Sequence, residues 1–193
     1  MVNIDKNKEF RIFIDRLKFA YRQFLLFNEL QNRRNNETWK MNDIFWEAIL
    51  ASISLGHLSE LAKMFEKQNP RFDDVFSIHY FTDYDFANHG ETIEKLIILG
   101  KKYLKHYDVE TYKNLEIFFK DLKLTTMDIE NLFDKMIDVT EKIRTDYGID
   151  YEIKPNFLRQ KEFITNTILN LENTLNKGVE KLKEEALTNR FIS

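Results

Sequence analysis

The sequence has no cysteine, only five glycines and only two prolines among 193 residues. Without cysteine there is no disulfide, no thiolate metal site and no cysteine nucleophile, and the chain suits a reducing compartment. So little glycine and proline leaves too few reversals for an all-β fold of many short strands. Neither charge sign dominates: the formal charge is −3. That argues against a protein wrapped in DNA while leaving room for a local basic patch. A long uncharged apolar run is also missing. The most hydrophobic stretch, Ile44 to Leu61, contains Glu47, His57 and Glu60, and reads as a buried helix, not a membrane span. The opening Met1-Val-Asn-Ile-Asp-Lys-Asn-Lys-Glu9 has no apolar core of the kind a signal peptide carries. A cytoplasmic protein that engages no membrane is expected.

What is present is interspersed charge and a large aromatic and aliphatic mass. Charged residues are 32% of the chain and alternate with apolar ones, as on helices with one solvated face. The length suffices for one compact domain with a substantial core. The expected fold is all-α, an up-and-down helical bundle over residues 1–150. Residues 151–193 form a long C-terminal helix that packs on the bundle or on a partner.

Period-3.6 patterning places the elements. Phe10, Ile14, Leu17, Tyr21, Phe24 and Leu25 stripe a helix from about Asp5 to about Arg34, with Arg11, Asp15, Lys18 and Arg22 between them as polar positions. Arg33 and Arg34 are expected at a solvated helix end, where cations favour the macrodipole. Asn42 to Lys67 is apolar on nearly all sides and belongs in the middle of the bundle. Its Ser52, Ser54 and Gly56 are small enough for a neighbour to come close. His57, within it, is expected to be a buried, hydrogen-bonded core histidine. Residues 68–90 form a packed aromatic loop. Asn88 with Glu91 three residues on predicts the N-cap of a third helix, striped by Ile93, Leu96, Ile97, Gly100 and Tyr103. Gly100 on that face points to close helix approach. Val109 to Leu122 is a further helical segment. Thr125-Thr-Met-Asp128 predicts a capping box opening a helix that Gly148 ends. Pro155 marks N1 of the last helix, whose near-heptad stripe runs Ile164, Ile168, Leu171, Leu175, Val179, Leu182 and Ala186.

Few constellations carry chemistry. His57, His79 and His89 lack paired ligand spacing, and no Glu-x-x-His pattern, glycine phosphate loop or serine elbow occurs, so no metal and no cofactor is expected. Leu99-Gly-Lys-Lys-Tyr-Leu-Lys-His-Tyr-Asp108 is the informative stretch. At about 100° per residue Lys102 lies about 40° from His106, whereas Lys101 is about 140° away and Gly100 about 120°. A phosphate-facing patch of His106 with Lys101, Lys102 and Lys105 is one reading. A helix end with lysines favourable near its C-terminus is the other.

This decapeptide resembles the signature of the HEPN superfamily, an Arg followed by four to six residues and a His late on a helix. Lys102-Tyr-Leu-Lys-His-Tyr-Asp108 is similar to the Lys-x-Leu-Ala-His-x-Asp version of the AbiU-type abortive-infection branch. Phe118 to Leu132, with its Leu-Thr-x-x-Asp-Ile helix start, resembles that branch too, as does the apolar run from Phe45 to Phe65. The likeness spans about Arg11 to Gly148. In this chain the motif arginine is replaced by Gly100 or Lys101, depending on spacer length.

The resemblance implies a HEPN-like protein of a phage-defence or toxin–antitoxin system that acts on or binds RNA, a homodimer with an antitoxin or another protein partner. As a metal-independent endoribonuclease it would use His106 for acid–base chemistry and Lys101 for the developing charge, with Lys102, Lys105 and Asp108 at the RNA phosphates. Lysine supplies a point charge but not arginine's planar fork. The alternative is a non-catalytic helical dimerisation or protein-interaction module.

Overall fold

The computed structural model describes residues 3–33, 43–66, 77–101 and 122–190. Five α-helices are found there: α1 (Asn3–Arg33), α2 (Asp43–Phe65), α3 (Gly90–Leu99), α4 (Thr126–Asp146) and α5 (Lys154–Arg190). Two single 3-10 turns, Ile78–Tyr80 and Ala87–His89, precede α3. No strand occurs among the described residues, and the fold is an all-α bundle with a long C-terminal helix. No helix among them is long and apolar enough to cross a membrane.

The whole expected stripe of α1 is buried, joined by Phe13 and Ala20. It lies antiparallel to α2: Arg16 meets Glu60, Gln23 meets Gly56, and Phe24 and Phe27 meet His57. α5 runs parallel to α1, with Tyr21 on Phe157, Arg22 on Gln160, Glu29 on Thr165 and Arg33 on Glu172. Tyr21 ties three helices together, because its ring also meets Phe133 of α4 at 5.3 Å. Phe24 meets the same Phe133 at 5.1 Å. Such offset and edge contacts between buried rings add to the area they remove from water.

Described residues of the aromatic loop close one end of the bundle. Ile78, Phe81 and Phe86 are buried; Phe81 packs on Phe10 and Phe13, and Phe86 on Phe65. Tyr80 donates to Glu9 at 2.7 Å, which pins the loop to α1. Residues 67–76, including Pro70, lie outside the described residues, as do 102–121; of the Val109–Leu122 segment only Leu122 is described, and it is buried.

The α4 boundaries follow the sequence signals. Thr125 accepts from the Asp128 amide while the Asp128 side chain accepts from the Thr125 amide, a reciprocal capping box. At the other end Gly148 takes φ +62°, its amide donates to Thr145, and the Ile149 amide donates to Arg144. That pair of bonds is a Schellman close, which needs a residue at ease with positive φ.

Several local expectations are corrected. Asn88 is not the N-cap of α3: it lies inside the Ala87–His89 turn, and His89 precedes the helix with no side-chain cap. Glu91 instead pairs with Lys95 at 2.6 Å. α5 begins at Lys154, so Pro155 is its second residue. Ser52 faces outward and bonds back to Ala48, leaving Gly56 as the close-approach position. Arg33 is not solvated, because Glu29 and Glu172 hold it. Lys18, expected among polar surface positions, is only 9% exposed. The α5 stripe divides: Ile168 is buried and Ile164 and Leu175 pack on the core, whereas Leu171, Val179 and Leu182 are exposed.

Candidate functional site

The C-terminal end of α3 is anchored by its apolar face. Leu96 and Leu99 are fully buried, and Gly100 is buried beside them. A Cβ built on Gly100 would stand 3.0 Å from the Ala62 Cβ of α2. Glycine is thus the residue that lets α3 approach α2 this closely, as its place on the apolar stripe implies. Lys101 follows at once and is exposed. The two residues continue α3 as a wider, π-type turn.

Of the expected site residues, Lys101 is therefore a solvent-facing cation beside a packed glycine. Lys102, Lys105, His106 and Asp108 lie outside the described residues. Near the same helix, Lys95 on α3 reaches the Lys123 carbonyl at 3.5 Å, which brings α3 against the turn that leads into α4. Lys123 itself takes φ +47°.

The other histidines divide by environment. His57 is 2% exposed, and its Nδ1–H donates to the Ile53 carbonyl at 3.0 Å. Phe24 and Phe27 lie against the ring. Burial holds its pKa down to about 4, opposed by the bond to Ile53. It is a neutral core residue. His79 is exposed and presents an edge to Phe86. Among the described residues no group of three or more His, Asp or Glu could hold a metal ion.

The structure assembles a second feature that sequence spacing does not reveal. A groove of about 480 Å³ lies between α1 and the first turns of α5, lined by Lys18, Arg22, Asn156, Arg159, Gln160, Phe163 and Ile164. Its lining holds three cations and no acid. Lys18 sits 4.3 Å over the ring of Tyr151, and its carboxylate partner Asp15 is 3.7 Å away and largely in water. Burial lowers the Lys18 pKa, Asp15 raises it, and nearby Arg22 lowers it again. Arg22 donates to the neutral amide oxygen of Gln160 at 3.1 Å. Arg159 is held by Glu152 and by the Pro155 carbonyl. On another face of α1 a shallow depression beside Ile12 and Phe19 has its one cation, Arg16, neutralised by Glu60. Lys18 and Arg22 lie more than 130 positions from Arg159, so only the parallel packing of α1 and α5 brings them together.

No protein-family model, curated protein or solved structure matches the chain.

Proposed function

We propose that the chain is a HEPN-like protein of a phage-defence or toxin–antitoxin system that engages RNA at the solvent-facing end of α3. The supporting observation is the step from Gly100 to Lys101. The first packs against Ala62 and the second projects into solvent. Of the two positions that could replace the motif arginine, only Lys101 can reach a phosphate. In this reading the motif uses a four-residue spacer, and lysine carries the charge role.

The chemistry requires little else. His106 would take the proton from a ribose 2′-OH as that oxygen attacks the adjacent phosphate, and return a proton to the leaving 5′-oxygen. Lys101 would stabilise the charge that builds on the phosphate oxygens, with Lys102, Lys105 and Asp108 positioning the strand. An ammonium in place of a guanidinium gives up bidentate contact, so turnover is expected to be slow. Incubation of the purified protein with total RNA and tRNA tests the catalytic part. Wild type should cleave and His106→Ala should not; intact RNA with both, or equal cleavage by both, contradicts it.

The non-catalytic dimerisation module remains the second reading, favoured by the exposed Leu171, Val179 and Leu182 on α5. A coiled pairing of two copies would cover them. Light scattering of wild type and Leu182→Glu tests the pairing: a dimer that the substitution splits supports it, and a monomer in both cases counts against the dimer part of both readings.

A further inference from the structure

We propose that the groove between α1 and α5 binds a nucleoside phosphate, with its phosphate against Lys18 and Arg22 and its base on the ring of Phe163. This site is independent of the α3 surface, since α3 packs on α2 and the groove opens between α1 and α5.

Charge is the first argument. Two cations on one face of α1, Lys18 and Arg22, are held near each other with little compensation. Among the described residues Arg22 bonds only a neutral amide, and the Asp15 contact of Lys18 is long and exposed. Lys18, buried as a residue with its ammonium over Tyr151 and only a long contact to Asp15, stands beside the Arg22 guanidinium, an arrangement that favours an added anion. A phosphate would relieve both, through charge-assisted hydrogen bonds stronger than neutral ones.

The rest of the lining fits the other half of the ligand. Phe163 is 68% exposed at the groove edge, one turn beyond Arg159, and Ile164 forms apolar floor beside it. An exposed aromatic face next to a cation cluster suits a base that must stack while its phosphate is neutralised. Asn156 and Gln160 add amide donors and acceptors able to meet a ribose or a base edge. The groove's size lies within the range of small-molecule sites, about 300–1,000 Å³.

Calorimetric titration of the full chain with adenosine 5′-monophosphate, adenosine and inorganic phosphate tests the site. The monophosphate should bind more tightly than either fragment. Arg22→Ala, at an exposed position, should weaken it about tenfold. Phe163→Ala should weaken the monophosphate and leave inorganic phosphate unchanged, and Lys177→Ala, which removes an equal charge elsewhere on α5, should alter neither. A short oligonucleotide with a 5′-phosphate that displaces the monophosphate assigns a strand end as the ligand; failure to displace it assigns the free nucleotide. No binding of the monophosphate, adenosine binding equally well, or equal affinities for Arg22→Ala and Lys177→Ala overturns the proposal.

Discussion

The Ala62 Cβ occupies the space in which a side chain at Gly100 would begin, 3.0 Å from where its Cβ would lie. Both positions are fixed by helix backbones, so neither can rotate away. Gly100→Ala should gain helix propensity of about 1 kcal/mol and lose about 1–3 kcal/mol to overpacking. Ala62→Gly reopens the space. A double-mutant cycle read by denaturant unfolding should therefore show Gly100→Ala tolerated better in the Ala62→Gly background than in the wild type, by about 1 kcal/mol. Gly100→Arg should destabilise further and not raise RNA cleavage above that of the wild type.

His57 predicts a pH dependence of stability. Its folded pKa is about 4, below the ordinary histidine value, so the unfolded chain binds the proton first as pH falls. The contribution of His57 is full above about pH 6.5, declines by about 3 kcal/mol as pH falls to about 4, and then levels. His57→Gln, which can still donate to Ile53, should flatten that interval in urea unfolding measured across pH. An unchanged slope would mean that the ring is not sealed between Phe24 and Phe27.

Much of the fold was legible because its signals are local. The stripe from Phe10 to Leu25, the Thr125–Asp128 box and the Gly148 close depend on residues within a few turns. Gly100 could be placed on the buried face for the same reason. Asn88 misled because a 3-10 turn running straight into α3 took the place of a cap. Lys18 and Arg33 misled because the polar side of α1 becomes an inner surface once α5 lies along it, and α5 is far away in sequence. The α1–α5 groove was invisible for that reason. Of the candidate site at α3, only Gly100 and Lys101 are described: Gly100 packs against Ala62 and Lys101 is exposed, while Lys102 to Asp108 lie outside the described residues.

Gly148 should be replaceable only by residues that accept positive φ. Gly148→Val should lower stability by about 1–2 kcal/mol, and Gly148→Asn by less. Thr125→Ala, at the other end of α4, should cost about 1 kcal/mol by removing the cap. Thermal unfolding of the three variants checks the order.

Gln23 offers a stabilising change. Its Oε1 is buried and has no hydrogen-bond partner among the described residues, and a Cβ on Gly56 would stand 2.4 Å from it. An unpaired buried oxygen costs about 1–3 kcal/mol, so Gln23→Met should raise the unfolding midpoint. Gly56→Ala should lower it, and combining the two should recover part of the loss because the flexible, unbranched methionine can turn aside.

The proposed association of the α3 surface with RNA is tested most directly by fluorescence anisotropy of a labelled single-stranded RNA, titrated with wild type and Lys101→Glu over a range of salt concentrations. Contact between Lys101 and a phosphate predicts that wild-type affinity falls steeply with salt, and that Lys101→Glu binds more weakly with a slope shallower by about 0.7, one phosphate of a single strand. Equal affinity and equal slope for the two proteins, or no RNA binding by wild type at low salt, would contradict it.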